Sequence, residues 1–111
     1  MVSGGWIRQA DRSRWQQRAA AELAAILDAH PGIPVIAWTV TASGGALSGQ
    51  VLAAAGRRGL FGLWRLALGL DEVTETPAAN GTPVYLHARG VRGGVTVSVT
   101  ATVFDDGEDS R

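Results

Sequence analysis

The sequence predicts a small α+β domain, and three features carry that expectation. Residues 95–104 read V-T-V-S-V-T-A-T-V-F. Side chains alternate across a strand, so Val95, Val97, Val99, Ala101 and Val103 share one apolar face, and Thr96, Ser98, Thr100, Thr102 and Phe104 share the other. Trp15, Ala19, Leu23, Ile26 and Leu27 recur at helical spacing and make one apolar stripe. Short alternating runs broken by Gly, Pro and Asn fill much of the remainder. At 111 residues the chain has the size of one domain. The expected layout is a flexible lead-in over 1–10, a single domain over 11–104 and an acidic, disordered tail over 105–111.

The elements follow in order. Ser13-Arg14-Trp15-Gln16 fits a capping box, in which Ser accepts from a backbone N–H and Gln reaches back. The first helix is therefore expected from Ser13 until His30-Pro31-Gly32 stops it. If the helix starts earlier, Arg8 and Arg12 overhang the end of the core. Val35 to Thr41 reads as a strand with Ile36, Trp38 and Val40 on its apolar face. Ser43-Gly44-Gly45 turns the chain, and Ala46 to Val51 returns as a short strand weakened by Gly49.

The second helix is expected over roughly Gly59 to Gly69. On a wheel, Leu66, Leu63, Ala67, Leu60, Trp64, Leu68 and Phe61 run round most of its circumference, leaving a wedge of Gly62, Arg65 and Gly69. One packing contact needs an apolar stripe of only ~100° or a little more. Asp71 to Thr76 follows as an acidic edge strand stopped by Pro77. Asn80-Gly81 marks a turn. Pro83 to Arg89 is the next strand, with Val84, Leu86 and Ala88 inward and Tyr85, His87 and Arg89 outward. Short links favour hairpins, so an antiparallel sheet is expected, its last three strands a meander with 95–104 well inside. This order, α-β-β-α-β-β-β, is similar to that of profilin-like and roadblock-type domains over roughly Arg14 to Phe104. The likeness is one of element order and carries no residue functions.

Composition narrows the function classes. Ten basic and ten acidic residues cancel, so no global field points to nucleic acid or membrane. The charges are segregated, however. Residues 1–70 hold seven Arg against three acids, and residues 71–111 hold three Arg against seven acids. There is no Cys, which excludes disulfides, thiol catalysis and thiolate metal sites and fits a cytoplasmic protein. The 28 residues between Asp28 and Arg57 carry no Asp, Glu, Lys or Arg. Pro31, Pro34 and the Ser/Gly run at 43–45 make that stretch a hairpin and not a span. No apolar signal-peptide core precedes it.

The candidate sites rank as follows. The second helix has more apolar surface than one sheet can cover, and an exposed apolar patch marks a protein interface. This makes Leu60, Phe61, Leu63, Trp64 and Leu68 the expected contact surface of a non-enzymatic homodimer. Arg8, Arg12, Arg14 and Arg18, interleaved with Trp6 and Trp15, are the alternative: guanidinium groups on phosphates with Trp stacking on bases, as in a nucleic-acid accessory protein. Tyr85, His87 and Arg89, beside a strand of Thr hydroxyls, form a third candidate as a ligand face or a general-base site. No catalytic residue, cofactor or metal site is expected. Two His lack metal-ligand spacing, and Gly56-Arg57-Arg58-Gly59 lacks the Lys and Ser/Thr of a phosphate loop.

Overall fold

A computed structural model describes residues 9–41 and 45–104. The expected tail at 105–111, most of the lead-in (with Trp6 and Arg8) and the turn residues Ser43 and Gly44 lie outside them. The elements are α1 (Gln9–Ala29), β1 (Ala37–Val40), β2 (Ala46–Gln50), α2 (Arg57–Leu68), β3 (Glu72–Pro77), β4 (Val84–Arg92) and β5 (Val95–Val103). This is the α+β order expected.

β1 is shorter than the expected Val35–Thr41, α2 starts two residues earlier than Gly59, and β3 takes in Pro77; two further boundaries differ for local reasons. α1 begins at Gln9, so it takes in Gln9 and Ala10 from the expected lead-in. Ser13 lies inside it, where its Oγ accepts from Gln17 Nε2 at 3.5 Å instead of capping. Gln, Ala and Arg are good helix formers, so four extra residues cost little. β4 runs on through Gly90 to Arg92, leaving Gly93 and Gly94 as a two-residue turn into β5.

The strand order is β1-β2-β5-β4-β3. The β3–β4–β5 meander forms as expected, with β5 central and β3 an edge. The sheet is mixed and not wholly antiparallel, because β2 lies parallel to β5 from Ala46↔Thr96 to Gln50↔Thr100. The reason is a count of reversals. α2 is a crossover connection from β2 to β3, after which two hairpins reverse the chain twice, into β4 and again into β5. Neighbours β2 and β5 must then run the same way.

Both helices cover one face of this sheet, α1 over β1, β2 and β5, α2 over β5 and β4. All five inward side chains of β5 are buried, along with Leu47, Val84, Leu86 and Ala88 from its neighbours. From the helices, Ala19, Ile26, Phe61, Trp64 and Leu68 complete the core. Trp64 is the largest fully buried side chain. Its Nε1 donates to Pro34 O at 2.9 Å, and the edges of Trp38 and His30 meet its ring at centroid distances of 5.7 and 6.3 Å. A buried indole N–H needs a partner, and the loop after α1 supplies one.

Gly49 serves this cluster. A Cβ there would stand 2.8 Å from Ile36 Cδ1 and 3.0 Å from the Trp38 ring. The residue that weakens β2 by propensity leaves the room that Ile36, just ahead of β1, and Trp38 in β1 occupy.

Candidate interaction surface

The sequence of α2 is apolar almost all round, and the sheet uses only one side of it. Gly56, with φ 70°, starts the helix, and Gly69, with φ 64°, ends it. At the end, Gly69 N donates to Leu66 O at 3.2 Å and Leu70 N to Arg65 O at 3.1 Å, with Leu70 buried behind them. This is the pattern of a Schellman close, which fixes where α2 stops and which way it faces.

Of the five residues expected at an interface, Phe61, Trp64 and Leu68 are buried in the chain's own core. Leu60 packs partly against that core. Leu63 is half exposed. Leu66, on the wheel but outside the expected set, is 70% exposed. Leu63 and Leu66 are one turn apart and so stand side by side, with Gly59 and Gly62 as their neighbours. A Cβ on either glycine would touch nothing. The outward ridge of α2 is therefore two leucines on a floor of bare backbone.

The basic cluster comes apart on the helix. At ~100° per residue, Arg12 and Arg14 leave α1 about 160° apart. Arg14 Nη2 is bonded to Asp11 Oδ1 at 3.0 Å. Arg18 points toward the β4–β5 turn, its Nη1 3.6 Å from where a Cβ on Gly94 would be. Trp15, expected in the apolar stripe, is 38% exposed and lies outside the core cluster.

The outer sheet face does bring Tyr85, His87 and Arg89 together. Tyr85 lies between Thr102 and Thr76, His87 between Thr100 and Thr74, and Arg89 between Ser98 and Glu72. Arg89 Nη1 is 3.5 Å from Glu72 Oε1. An open cleft of about 320 Å³ is lined by Gly69, Asp71, Glu72, Arg89, Gly90 and Val91. It takes in Arg89 but neither Tyr85 nor His87. Thr96, Ser98, Thr100 and Thr102 are half-buried on this face.

Arg57 has a role that its sequence neighbourhood did not signal. Its Nε donates to Ala53 O at 2.6 Å and its Nη1 to Thr102 O at 2.9 Å, with the guanidinium 5.7 Å from the centre of the Phe104 ring. It ties the start of α2 to the end of β5. Arg58 instead reaches the edge strand, Nη1 to Glu75 Oε2 at 3.0 Å.

Among the described residues, no group of three or more His, Asp or Glu is placed to hold a metal ion. No helix among them is long and apolar enough to cross a membrane. Neither a scan against protein-family models nor a search of curated proteins finds a match to this chain.

Proposed function

We propose that the chain is a non-enzymatic protein–protein interaction module that pairs with a second copy of itself through the outer ridge of α2. The observation that carries this reading is the exposure of Leu63 and Leu66 beside Gly59 and Gly62. A two-fold contact uses the same patch on both subunits, so one ridge per chain suffices. The bare glycines let a partner helix come close to the backbone. The four ridge positions, Gly59, Gly62, Leu63 and Leu66, are themselves uncharged. The basic residues of α1 are less suited to a shared contact, because Arg12 leaves the helix away from Arg14 and Arg18, and Arg14 is paired with Asp11. A cytoplasmic setting is part of the proposal and rests on the cysteine-free sequence alone.

The size of the effect sets the experiment. Fully burying a Leu side chain contributes about 1.5–3 kcal/mol. Two partly exposed leucines per copy, set against the cost of association, support a weak pair with Kd no tighter than about the upper micromolar range. Light scattering after size exclusion, across a hundredfold concentration range reaching about 1 mM, should show the mean mass rising toward twice the monomer. A Leu63→Glu/Leu66→Glu variant, folded by circular dichroism, should stay at monomer mass throughout. Wild-type protein that keeps monomer mass over the whole range overturns the proposal.

A further inference from the structure

The open edge of the sheet at β3 offers a second surface, independent of α2. All six of its residues are exposed, and its hydrogen-bonding directions can be read from the ladder. Ala78 N donates to Pro83 O at 2.9 Å, one step beyond the pair Pro77↔Val84. In an antiparallel pair, bonded and non-bonded positions alternate. Thr76, Thr74 and Glu72 therefore turn their backbone groups toward β4. Val73, Glu75 and Pro77 turn theirs out of the sheet. The outward row has N–H donors at Val73 and Glu75 and a carbonyl at each of the three positions. Pro77, which has no N–H, takes a place where β4 needs none.

An unfilled row of alternating donors and acceptors is matched by one kind of chain, an extended strand. Side chains decide which strand. Residues 71–77 hold Asp71, Glu72 and Glu75 and no basic residue. Arg58 engages one oxygen of Glu75, and Arg89 engages one oxygen of Glu72. Both carboxylates stay largely exposed, and each retains a second oxygen. A second copy pairing centred on Glu75 would set the two Glu75 side chains directly opposite each other, which is unfavourable. Asp71, just ahead of β3, and Glu75 share one face of the strand and Glu72 lies on the other, so an incoming strand with Arg or Lys at alternate positions meets the Asp71 and Glu75 carboxylates along one face. At the other edge, β1 is only four residues long and carries no charge. We infer that β3 is a docking edge for an extended basic segment of a partner protein, which adds to the sheet as a sixth strand.

The probe is a fluorescein-labelled eight-residue peptide alternating Arg and Val, with a Glu/Val peptide for comparison. Fluorescence anisotropy should report binding of the Arg peptide only, weakened by added salt. Hydrogen exchange at the Val73 and Glu75 amides should slow when it binds. Val73→Pro removes one outward donor and leaves the β4 ladder intact, and should weaken binding at least tenfold. Glu72→Gln/Glu75→Gln, a surface change that does not depend on proline being tolerated, should do the same. Four results would overturn the inference: no binding of the Arg peptide, equal binding of the Glu peptide, binding unaltered by both variants, or β3 amides already protected in a concentration-dependent way without peptide. The last would mean that the edge pairs with its own copy.

Discussion

Gly49 shows how one residue can be read correctly by rule and still be misjudged. Its cost to β2 is real, since Gly in a strand interior gives up more conformational freedom than other residues. Its value lies across the ladder, where Ile36 and Trp38 occupy the volume a side chain would need. Ile36 can swing its terminal methyl aside, but the indole of Trp38 is rigid and wedged against Trp64. Gly49→Ala should therefore destabilise the fold, by about 1–3 kcal/mol as for other overpacked cores. Urea unfolding followed by Trp fluorescence would measure it; an unchanged midpoint would mean that the Trp38 ring is free to move. Trp64 carries the opposite lesson. An aromatic on a nearly all-apolar helix can serve core or partner equally well, and only the side the sheet takes decides between them.

At the level of elements, most of the fold was legible. The strict alternation at 95–103 and the stripe from Trp15 to Leu27 each admit one regular structure, and both formed. The mixed sheet could also have been reached from the sequence, because the parity of reversals between β2 and β5 fixes their relative direction once they are neighbours. What the sequence withheld was the rotation of α2 about its axis. A wheel ranks residues around a circle but has no origin, so Leu66 could not be separated from Phe61 until β4 and β5 supplied a floor. The start of α1 was missed because Ser13 with Gln16 satisfies a capping pattern that a continuing helix simply overrides. The two kinds of glycine in α2 give a test of opposite signs. Gly69→Ala puts a side chain at a left-handed residue and should cost about 1–2 kcal/mol. Gly62→Ala fills open space in a helix interior and should gain about 0.5–1 kcal/mol. Thermal unfolding of the two variants, measured at low protein concentration, should move in opposite directions.

Taken as a whole, the molecule uses part of its charge segregation internally. Glu22, from the basic front of the chain, pairs with Arg92 from the acidic back at 3.2 Å, and Arg58 with Glu75 makes the reverse exchange. Arg92 and Glu22 are the less exposed of these pairs and tie the β4–β5 turn to α1. If the α2 ridge pairs two copies, stability becomes a function of concentration, since anything that binds only the folded chain raises its melting temperature. Melting curves of the wild type should shift upward between about 10 μM and 1 mM. Those of Leu63→Glu/Leu66→Glu should superimpose, and parallel shifts in both proteins would assign the effect to some other surface.

The parallel seam between β2 and β5 also governs how the chain reaches this state. Its partners Ala46 and Thr96 are fifty positions apart, whereas β3, β4 and β5 join their neighbours through short loops. Closing the large loop is the entropically expensive step, and it repays nothing until β2 arrives. A meander formed ahead of that closure would leave one side of β5 bare, a nine-residue run without charge, Pro or Gly. Such a run is a template for intermolecular strand pairing. The strand that makes the best core of the finished protein is thus the one with most to lose if that closure lags in refolding, and the short β2 is what covers it.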